Sequence, residues 1–360
     1  MRVIISGGGT GGHIYPAIAI LQELKSRIKD IEILYIGTKG GLEKDIVEKE
    51  NIDFKPIDSM GIPRRVSKKL FKSAYKNIKG INEARVIINK FNPDLVIGTG
   101  GFVCAPVVLV AAKKNIRTLI HESNSYPGMA NKFLNKYVDK VCITYEECKK
   151  YFKRQDNIIL TGNPVRKNFN YKISDEDYEK LNIKKDKPIV FSFGGSNGSY
   201  FLNEAIIKMA DKMKGDFYLI HATGKKNFDE VSSRIKQNDY IKLFSYIDDI
   251  NKFYALSDLV ITSSGAMTLS EISQIKKASI LIPKSYTTEN HQQFNAQTYV
   301  DKGASIMILE KDLNSSSLYD NIINVISDKE KLKIMGEKAG ELAKTDALDK
   351  IVNIAIDLVK

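Results

Sequence analysis

The sequence predicts an α/β protein built from two doubly wound parallel sheets, and three observations lead to this fold class. A short apolar run, a glycine loop and a helical pattern follow one another at the start of the chain. The same succession restarts near the middle, at Pro188. Elsewhere, short apolar runs alternate with segments of helix length, as βα units joined by right-handed crossovers require.

The first half opens with the apolar run Arg2–Ser6, which ends in the glycine loop Gly7–His13. Apolar residues recur at helical spacing from Pro16 onward, which predicts the first helix. Further strands are predicted at Glu32–Ile36, Leu95–Ile97, Thr118–His121 and Lys140–Thr144. Together these elements predict one domain over residues 1–164.

The second half repeats the opening unit. The run Pro188–Phe193 leads into the glycine loop Gly194–Ser199, and further strands are predicted at Phe217–His221, Ile241–Phe244, Leu259–Thr262 and Ser279–Ile282. Residues 166–187 are rich in Lys, Asp and Asn, which is typical of a linker or surface excursion. The last helix is predicted over Leu348–Val359, with apolar residues at the spacing of a buried face.

Composition limits the classes of protein to which the chain can belong. Of 360 residues, 43% are hydrophobic and 27% charged, the balance of a folded globular protein. The 3 cysteines contain no CxxC pair, which indicates reduced thiols rather than a disulfide scaffold or a zinc site. No apolar run approaches the roughly 18 residues of a membrane span, and we expect no signal peptide before a strand that starts at Arg2. The formal net charge of +12 indicates an anionic partner, with nucleic acid, membrane and phosphorylated substrate all open.

The first glycine loop satisfies the G-x-G-x-x-G pattern through Gly7, Gly9 and Gly12. A tight turn that needs positive φ explains such glycines equally well. A dinucleotide site also needs an acid at the end of the second strand, where this chain has Ile36, Gly37 and Thr38. A phosphate-binding P-loop is excluded because His13 stands where its lysine is required. The loop can therefore admit a ligand to N–H groups at a helix start without matching either nucleotide fingerprint.

Two loops in the second half also precede helices. The segment Gly194–Gly198 follows one predicted strand, and Ser264–Glu271 follows another. The free N–H groups at these helix starts suit an anion such as a diphosphate. Glu271 can bind a ribose diol there, or it is simply an acid favoured near a helix start, and its spacing does not separate the two.

The 4 histidines are few enough to weigh singly. His221 lies inside an apolar strand and is interpreted as structural. His13 follows a glycine loop at the carboxyl edge of a sheet, where open α/β folds bind ligands. An imidazole there can act as a general base near neutral pH. No spacing typical of metal ligands is present in the sequence.

The chain resembles the bacterial MurG family, membrane-associated N-acetylglucosaminyltransferases of peptidoglycan synthesis, over essentially its whole length. The resemblance rests on eight segments in family order: Gly7–Pro16 (GGGTGGHIYP), Gly98–Val103 (GTGGFV), His121–Asn124 (HESN), Gly162–Arg166 (GNPVR), Gly194–Gly198 (GGSNG), Tyr246–Asp249 (YIDD), Ser264–Glu271 (SGAMTLSE) and His291–Ala296 (HQQFNA). It implies a GT-B architecture of two Rossmann-like domains with a cleft between them. Residues 1–164 would bind the acceptor and dock on the membrane, 165–345 would bind the donor, and 346–360 would form a helix that packs back on the first domain.

The resemblance also implies a reaction. N-acetylglucosamine would pass from UDP-N-acetylglucosamine (UDP-GlcNAc) to the C4 hydroxyl of the muramyl sugar of lipid I, which is undecaprenyl-diphospho-N-acetylmuramoyl-pentapeptide. The product would be lipid II, formed with inversion at the anomeric carbon. The enzyme would work on the cytoplasmic face of the cell membrane as a peripheral protein, with no cofactor and no metal.

Site roles follow from the same resemblance. Ile247 would contact uracil through its backbone and Glu271 the ribose, while Gln292 would bind the sugar hydroxyls. The other donor-binding residues implied are Thr10, Gly11, Gly12, Asn124, Arg166, Ser196, Ala266, Met267, Thr268, Leu269 and Ser270. The acceptor-binding residues implied are Gly101, Phe102, His121 and Asn131. His13 is the predicted catalytic base, and Glu122 is the alternative.

The positive charge concentrates in residues 64–90, which hold nine Lys or Arg and one acid, Glu83. The nine cations are Arg64, Arg65, Lys68, Lys69, Lys72, Lys76, Lys79, Arg85 and Lys90. Apolar residues recur beside them at helical spacing, among them Phe71, Tyr75 and Ile78. Such a helix can lie on an anionic bilayer, or its apolar stripe can pack on its own domain. The polyprenyl-linked acceptor implied by the resemblance favours the membrane.

Two positions depart from the family pattern. Ser263 stands before the SGA turn where some members have a basic residue, and Phe102 stands where Tyr is frequent. Two other function classes stay open. One is a different GT-B enzyme that uses UDP-GlcNAc, such as a glycolipid synthase or an epimerase. The other is a basic nucleic-acid-binding protein, which the absence of any recognition-helix, RRM or zinc-finger pattern disfavours. We therefore expect no nucleic acid among its partners.

Overall fold

The structure, a computed structural model, describes residues 1–63, 68–165, 169, 171–195, 198–235 and 238–360. These residues divide into two compact units. Unit 1 consists of Met1–Val165 together with Lys344–Lys360, and unit 2 consists of Arg166–Ala343.

Unit 1 alternates strands and helices along the chain. Its elements up to residue 165 are β1 (Arg2–Gly7), α1 (Gly11–Arg27), β2 (Glu32–Thr38), α2 (Leu42–Lys49), β3 (Asp53–Ile57), α3 (Lys68–Phe91), β4 (Leu95–Gly100), α4 (Cys104–Lys113), β5 (Arg117–Glu122), α5 (Met129–Leu134), β6 (Lys140–Ile143), a 3₁₀ turn (Glu146–Tyr151) and β7 (Ile158–Leu160). The strands form one parallel sheet in the order β3-β2-β1-β4-β5-β6-β7. The strand order reverses between β1 and β4, which is the point where doubly wound sheets bind ligands.

Unit 2 repeats this plan. Its elements are α6 (Asp175–Leu181), β8 (Ile189–Phe193), α7 (Tyr200–Ala210), β9 (Tyr218–Ala222), a 3₁₀ turn (Lys225–Asn227), α8 (Phe228–Arg234), β10 (Ile241–Phe244), α9 (Ile250–Leu256), β11 (Leu259–Thr262), α10 (Ala266–Gln274), β12 (Ala278–Leu281), a 3₁₀ turn (Thr288–Asn290), α11 (His291–Asp301), β13 (Ser305–Met307), α12 (Ser315–Ile326) and α13 (Lys329–Glu341). The parallel strand order is β10-β9-β8-β11-β12-β13, so the order reverses between β8 and β11.

The last helix, α14 (Ala347–Asp357), belongs to unit 1 although it follows unit 2 along the chain. Its residues Ile351, Val352 and Ala355 are fully buried in the same cluster as α1 and the strands of the first sheet. Arg27 of α1 pairs with Asp349 of α14 at the margin of this contact. Burial of this stripe therefore holds α14 against α1.

Helices cover both faces of each sheet, which is why the strands are almost continuously apolar. In unit 1, one core cluster joins β1 and β4 to α1, and the other joins the same sheet to α3 and α4. Unit 2 has two equivalent clusters on the faces of its own sheet. Helices thus cover the faces of each sheet in the described residues, and the loops at the strand ends are the parts that can meet a ligand.

Two local predictions differ from the structure. Helix α1 begins at Gly11 rather than at Pro16, which places His13 in its first turn. Residues 166–187, predicted as a linker or surface excursion, contain helix α6, where the Asp177 carboxylate accepts the Ser174 N–H at 2.8 Å. An acid three residues after a serine is the capping pattern that the composition of this segment obscured.

Candidate active site

The carboxyl ends of β1, β4 and β5 lie side by side in unit 1. They carry the glycine loop Gly7–Gly12, the second glycine segment Gly98–Val103 and the segment Glu122–Asn131. Most of the residues that the sequence predicted for the base and the acceptor therefore share one edge of one sheet.

His13 is half-buried in the first turn of α1. Its Nδ1 lies 3.1 Å from the carbonyl oxygen of Thr99, and the Thr99 hydroxyl donates to the His13 carbonyl at 2.7 Å. A carbonyl can only accept, so Nδ1 of the neutral ring carries the proton and Nε2 carries the lone pair. This hydrogen bond makes Nε2 the accepting atom of the neutral ring.

The two glycine segments pack against each other too closely for side chains. The Gly8 N–H donates to the Gly100 carbonyl at 3.3 Å, and a Cβ at Gly101 would lie 2.2 Å from the Gly8 oxygen. The Phe102 ring would lie 3.3 Å from a Cβ at Gly9. His13, Gly101 and Phe102 are thus brought to the loop that carries Thr10, Gly11 and Gly12.

Helix α1 starts with unused donors. Thr10 provides no side-chain cap, and the first N–H bonded to its carbonyl is that of His13, at 3.1 Å. Helix geometry leaves the N–H groups of Gly11 and Gly12 without an intrahelical acceptor. They lie beside His13 at the positive end of the helix dipole and suit a negatively charged or strongly polar ligand group.

Glu43 supports this loop from below and was missed in the sequence. The side chain is fully buried. Its carboxylate accepts the Thr38 N–H at 2.7 Å, the Thr38 hydroxyl at 2.5 Å and the Gly9 N–H at 3.3 Å. Cβ atoms at Gly8 and Gly41 would lie 2.6 Å and 2.4 Å from its Oε1. The one signal in the sequence was the presence of glycine at positions 8, 37 and 41. The absence of side chains at Gly8, Gly37 and Gly41 leaves the space that the Glu43 side chain occupies in the folded chain.

Replacing Glu43 by glutamine should destabilise the protein by about 1–3 kcal/mol, because one of the buried N–H donors then faces an NH₂ group. The measurement is the free energy of unfolding from the urea dependence of circular dichroism. Glu48→Gln, on the same helix but exposed and paired with the exposed Lys44, is the matched control and should change stability by less than about 0.5 kcal/mol. Equal effects of the two substitutions would contradict the supporting role of Glu43.

Glu122 is 1% exposed and its carboxylate is occupied by the protein. It accepts the Asn124 backbone and side-chain N–H groups at 3.0 and 2.9 Å. The Gly128 N–H donates to it at 3.0 Å and the Asn131 amide at 2.8 Å. With four donors on two oxygens, this carboxylate organises the loop between β5 and α5 and is poorly placed to collect a proton from a substrate.

His121 and Asn131 are buried beside Glu122. The His121 Nε2 lies 3.1 Å from the Gly162 carbonyl, and burial lowers the pKa of the ring to about 4. A neutral ring with no exposed surface supports the loop rather than meeting a solvent-borne ligand. The predicted acceptor set therefore divides into Gly101 and Phe102 at the loop surface and His121 and Asn131 beneath it.

In unit 2 the ends of β8, β11 and β12 lie side by side. Helix α10 starts directly after β11, at Ala266, and Gly265 offers no side-chain cap. The N–H groups of Ala266, Met267 and Thr268 have no intrahelical acceptor, whereas the Leu269 N–H already donates to the Gly265 carbonyl at 3.0 Å. Leu269 is fully buried and the Ser270 hydroxyl donates to the Ala266 carbonyl at 2.9 Å. Of the predicted donor-binding residues Ala266–Ser270, the first three form the open N-terminal end of the helix, whose N–H groups can bind an anion as ligand.

Glu271 and Gln292 border this helix start. The Glu271 carboxylate accepts the hydroxyl of buried Tyr254 at 2.9 Å, which orients it. The Gln292 Oε1 accepts the Lys284 backbone N–H at 3.0 Å, and the Gln292 carbonyl accepts the Ser264 hydroxyl at 2.7 Å. The amide NH₂ of Gln292 is then the end that can address a ligand, as a donor only. Ile247 lies half-buried after β10.

Two predicted donor residues, Arg166 and Ser196, lie outside the described residues, as do Arg64 and Arg65 of the basic segment. Within the described part of the chain, no three His, Cys, Asp or Glu side chains are grouped to hold a metal ion. None of the helices described there combines the length and hydropathy of a membrane span.

The apolar stripe of α3 does not pack on its own domain, which was one of the two interpretations of the sequence. Phe71, Tyr75 and Ile78 are 73%, 70% and 62% exposed, and they share one side of the helix at i, i+4 and i+7. The buried residues of α3 are instead Ser73, Gly80, Ala84 and Ile88. The apolar stripe therefore faces away from the core, with Lys68 and Lys72 exposed beside it.

One cation of this helix, Lys79, has an ion-pair partner in unit 1. The Lys79 ammonium lies 2.6 Å from an Asp58 carboxylate oxygen, which holds the pKa of Asp58 below its usual range, and Lys39 joins the same group at 3.5 Å. Lys79 is thus neutralised within unit 1. The unpartnered positive charge of the described helix concentrates toward its start.

Both halves of the chain are similar to known proteins. Residues 3–143 match the glycosyltransferase family 28 N-terminal domain, and residues 189–351 match the glycosyltransferase family 28 C-terminal domain. The UDP-N-acetylglucosamine--N-acetylmuramyl-(pentapeptide) pyrophosphoryl-undecaprenol N-acetylglucosamine transferase of Finegoldia magna is 47% identical, over 100% of this chain and 99% of the relative.

Solved structures share the fold at lower identity. The crystal structure of Acinetobacter baumannii MurG has a TM-score of 0.80 and 23% identity, over 99% of each chain. The UDP-GlcNAc 2-epimerase of Neisseria meningitidis bound to UDP-GlcNAc has a TM-score of 0.71 and 14% identity, over 99% of this chain and 100% of the other. The likeness to the epimerase is one of fold alone.

Proposed function

The chain belongs to the MurG family of glycosyltransferases, and from that membership we propose how its residues carry out the reaction. It is an N-acetylglucosaminyltransferase of GT-B fold that uses UDP-GlcNAc and the lipid-linked N-acetylmuramyl-pentapeptide, and so serves lipid II synthesis and cell-wall formation. The proposals that follow concern the residues that bind each substrate, the catalytic base and the membrane.

The donor binds to unit 2 through the helix start of α10. The N–H groups of Ala266, Met267 and Thr268 cradle the diphosphate, and the carboxylate of Glu271 accepts the ribose hydroxyls. Ile247 presents backbone groups to uracil, and the Gln292 amide donates to the sugar. One observation supports this assignment most strongly. The open start of α10 lies within one and a half helical turns of Glu271, whose carboxylate is already oriented by the Tyr254 hydroxyl. Arg166 and Ser196 complete the donor site in this proposal.

Glu271→Ala should weaken UDP binding about 10- to 100-fold, because the ribose loses hydrogen bonds to a charged acceptor. Isothermal titration calorimetry with UDP measures the loss. Tyr254→Phe is the matched control: it removes the same internal hydrogen bond while keeping the carboxylate, and we expect a change below about fivefold. A variant without the carboxylate that binds UDP as tightly as the wild type does would contradict the ribose assignment.

The acceptor reacts over unit 1. Nε2 of His13 takes the proton of the acceptor C4 hydroxyl as its oxygen attacks the anomeric carbon of the donor sugar. The bond from that carbon to the diphosphate breaks in the same step, so the configuration inverts and the electron pair leaves with UDP. The N–H groups at the start of α10 stabilise the charge on the leaving group without a metal. Thr10, Gly11 and Gly12 meet the reacting sugar.

Glu122 is assigned a positioning role in place of the alternative base. It shapes the loop that carries Asn124, and His121 and Asn131 support it from within. Gly101 and Phe102 contact the acceptor. The four N–H donors on the Glu122 carboxylate support this division of roles.

The membrane contact is the α3 surface, defined as Phe71, Tyr75 and Ile78 with Lys68, Lys69 and Lys72. Apolar side chains enter the interface while ammonium groups remain at the level of anionic headgroups, each contributing about 1 kcal/mol. The exposed stripe supports this proposal, since large contiguous apolar surface marks an interaction site. Docking there would bring the polyprenyl acceptor to unit 1 on the cytoplasmic face.

The reaction is tested with purified protein, UDP-GlcNAc and a lipid I analogue in mixed micelles, followed by mass spectrometry. A lipid-linked β-1,4 disaccharide and one UDP per turnover are expected. A UDP-sugar epimer formed without acceptor would favour the epimerase alternative. RNA binding without turnover would favour the nucleic-acid alternative.

A further inference from the structure

Lys284 is a half-buried lysine in the loop between β12 and α11. Its ammonium donates to the Gly198 carbonyl at 2.8 Å, and its own backbone N–H donates to Gln292. Among the residues that the structure describes, no carboxylate lies within 4.0 Å of this ammonium. The ammonium also faces the Tyr286 ring, 5.9 Å from its centroid. A partly desolvated cation with one hydrogen-bond acceptor and one aromatic ring beside it retains unused donor capacity to bind an anion.

The sheet order places this cation at the donor site. Lys284 follows β12, and Gly198 follows β8, while β11 lies between these two strands. The Lys284 side chain therefore connects the loop after β12 to the loop after β8. The loop after β11, from which α10 begins, lies between them. Gln292 links the loop after β12 to the loop after β11, since it accepts from both the Lys284 backbone and the Ser264 hydroxyl. The end of β11 itself offers only Ser263 and Ser264, which carry no charge.

We propose that Lys284 is a further donor-binding residue, whose ammonium contacts the diphosphate of the nucleotide and neutralises the charge that develops on it as the sugar departs. This inference rests on the proposed donor site and adds to it a cation that the sequence motifs did not include. The helix start supplies uncharged N–H groups, and Lys284 supplies the full charge beside them.

The surroundings of the ammonium support this role. Burial lowers the pKa of Lys284, and the charge of Glu310 opposes that shift. Glu310 accepts the Ser285 N–H at 2.8 Å, and its other carboxylate oxygen is buried without a hydrogen-bond partner in the described structure. The cation is thus held by the field of a nearby acid without being paired to it, and a bound diphosphate would complete its contacts.

The test compares ligands that differ only in the number of phosphate groups, and therefore in charge. Isothermal titration of Lys284→Met with uridine, UMP and UDP should give uridine affinity within about twofold of wild type and UDP affinity reduced at least about tenfold, with UMP between them. Lys284→Arg should retain most of the UDP affinity. Both variants are first checked for an unchanged urea midpoint.

Lys277→Met is the matched control. Lys277 is also half-buried and its ammonium donates to a backbone carbonyl, that of Ser257, at 2.5 Å. It lies at the opposite ends of β11 and β12, away from α10's start. We expect its substitution to leave the ratio of UDP to uridine affinity unchanged.

Two results with Lys284→Met would overturn this inference while the proposed donor site still stands: equal weakening of uridine and UDP binding, or an unchanged UDP affinity. A shift of the ratio in Lys277→Met that matches that of Lys284→Met would overturn it as well. Absence of UDP binding by the wild type would overturn the proposed donor site together with this inference.

Discussion

Replacing His13 by glutamine lowers the turnover number by about 10²- to 10⁴-fold, the usual contribution of a general base, while the UDP dissociation constant stays within about twofold of wild type. The two effects differ because donor binding and proton removal are assigned to different units. In the proposed mechanism, residues of unit 2 bind UDP, whereas Nε2 of His13 acts only on the acceptor hydroxyl. Turnover is measured with saturating donor and acceptor, and UDP binding by calorimetry.

The pH dependence of this variant separates a base from a binding residue. In the wild type, kcat should fall at low pH as His13 becomes protonated and Nε2 loses its lone pair. The acidic limb should disappear in His13→Gln. Glu122→Gln is the control, because its carboxylate is occupied by four N–H donors, and it should lose stability while keeping the acidic limb. Loss of that limb in Glu122→Gln with its retention in His13→Gln would exchange the two assignments.

Replacing Phe71, Tyr75 and Ile78 together by serine lowers the partition onto phospholipid vesicles by about 100-fold. Complete burial of such a side chain contributes about 1.5–3 kcal/mol, and an interfacial helix buries each of the three by roughly half, or about 3 kcal/mol in total. Because the three residues are already exposed, their replacement leaves the core intact. Vesicle cosedimentation measures the loss, which should be the same in neutral and anionic lipid.

Reversing the charge of Lys68, Lys69 and Lys72 to glutamate should act differently. Binding should fall by a similar factor on anionic vesicles and hardly at all on neutral ones, because these side chains interact with headgroup charge. The control variant carries glutamate at Lys311, Lys329 and Lys333, which are exposed in unit 2, and so has the same net charge. If it loses as much binding as the α3 variant, net charge rather than this surface governs the interaction.

The central strands could be predicted closely because burial on both faces makes them continuously apolar. The bounds of β11, which lies between β8 and β12 and is buried throughout, agree with the sequence prediction to the residue. The edge strand β10 was also predicted over its full length, because three of its four residues are apolar. The strands β3, β7 and β13 were missed. They are three to five residues long and lie at or next to a sheet edge, and β3 contains Pro56. Short edge strands are exposed on one side and lack the apolar run that identifies a buried strand.

The site could be predicted as far as strand ends determine it. His13, Gly101 and Phe102 converge because parallel strands bring their carboxyl-terminal loops to one edge. Glu43 and Lys284 could not be predicted in this way. Each is an ordinary charged residue in the sequence, and its role depends on a partner distant along the chain. Glu43 accepts the Gly9 N–H, and Lys284 donates to the Gly198 carbonyl. Likewise, the periodicity of α3 identified an apolar stripe without showing which side of the helix the sheet covers.

The return of α14 to unit 1 determines when this protein can finish folding during synthesis. Unit 2 is a continuous stretch of chain and can close as soon as residue 343 has emerged, whereas the α1 face of the first sheet must wait for Lys344–Lys360. Domains made from the amino terminus onward normally fold first. Here the half synthesised first keeps apolar residues of α1 uncovered throughout translation of the second half. The nascent chain therefore exposes this apolar surface for that whole interval, and unit 1 completes its core only after unit 2 has been synthesised.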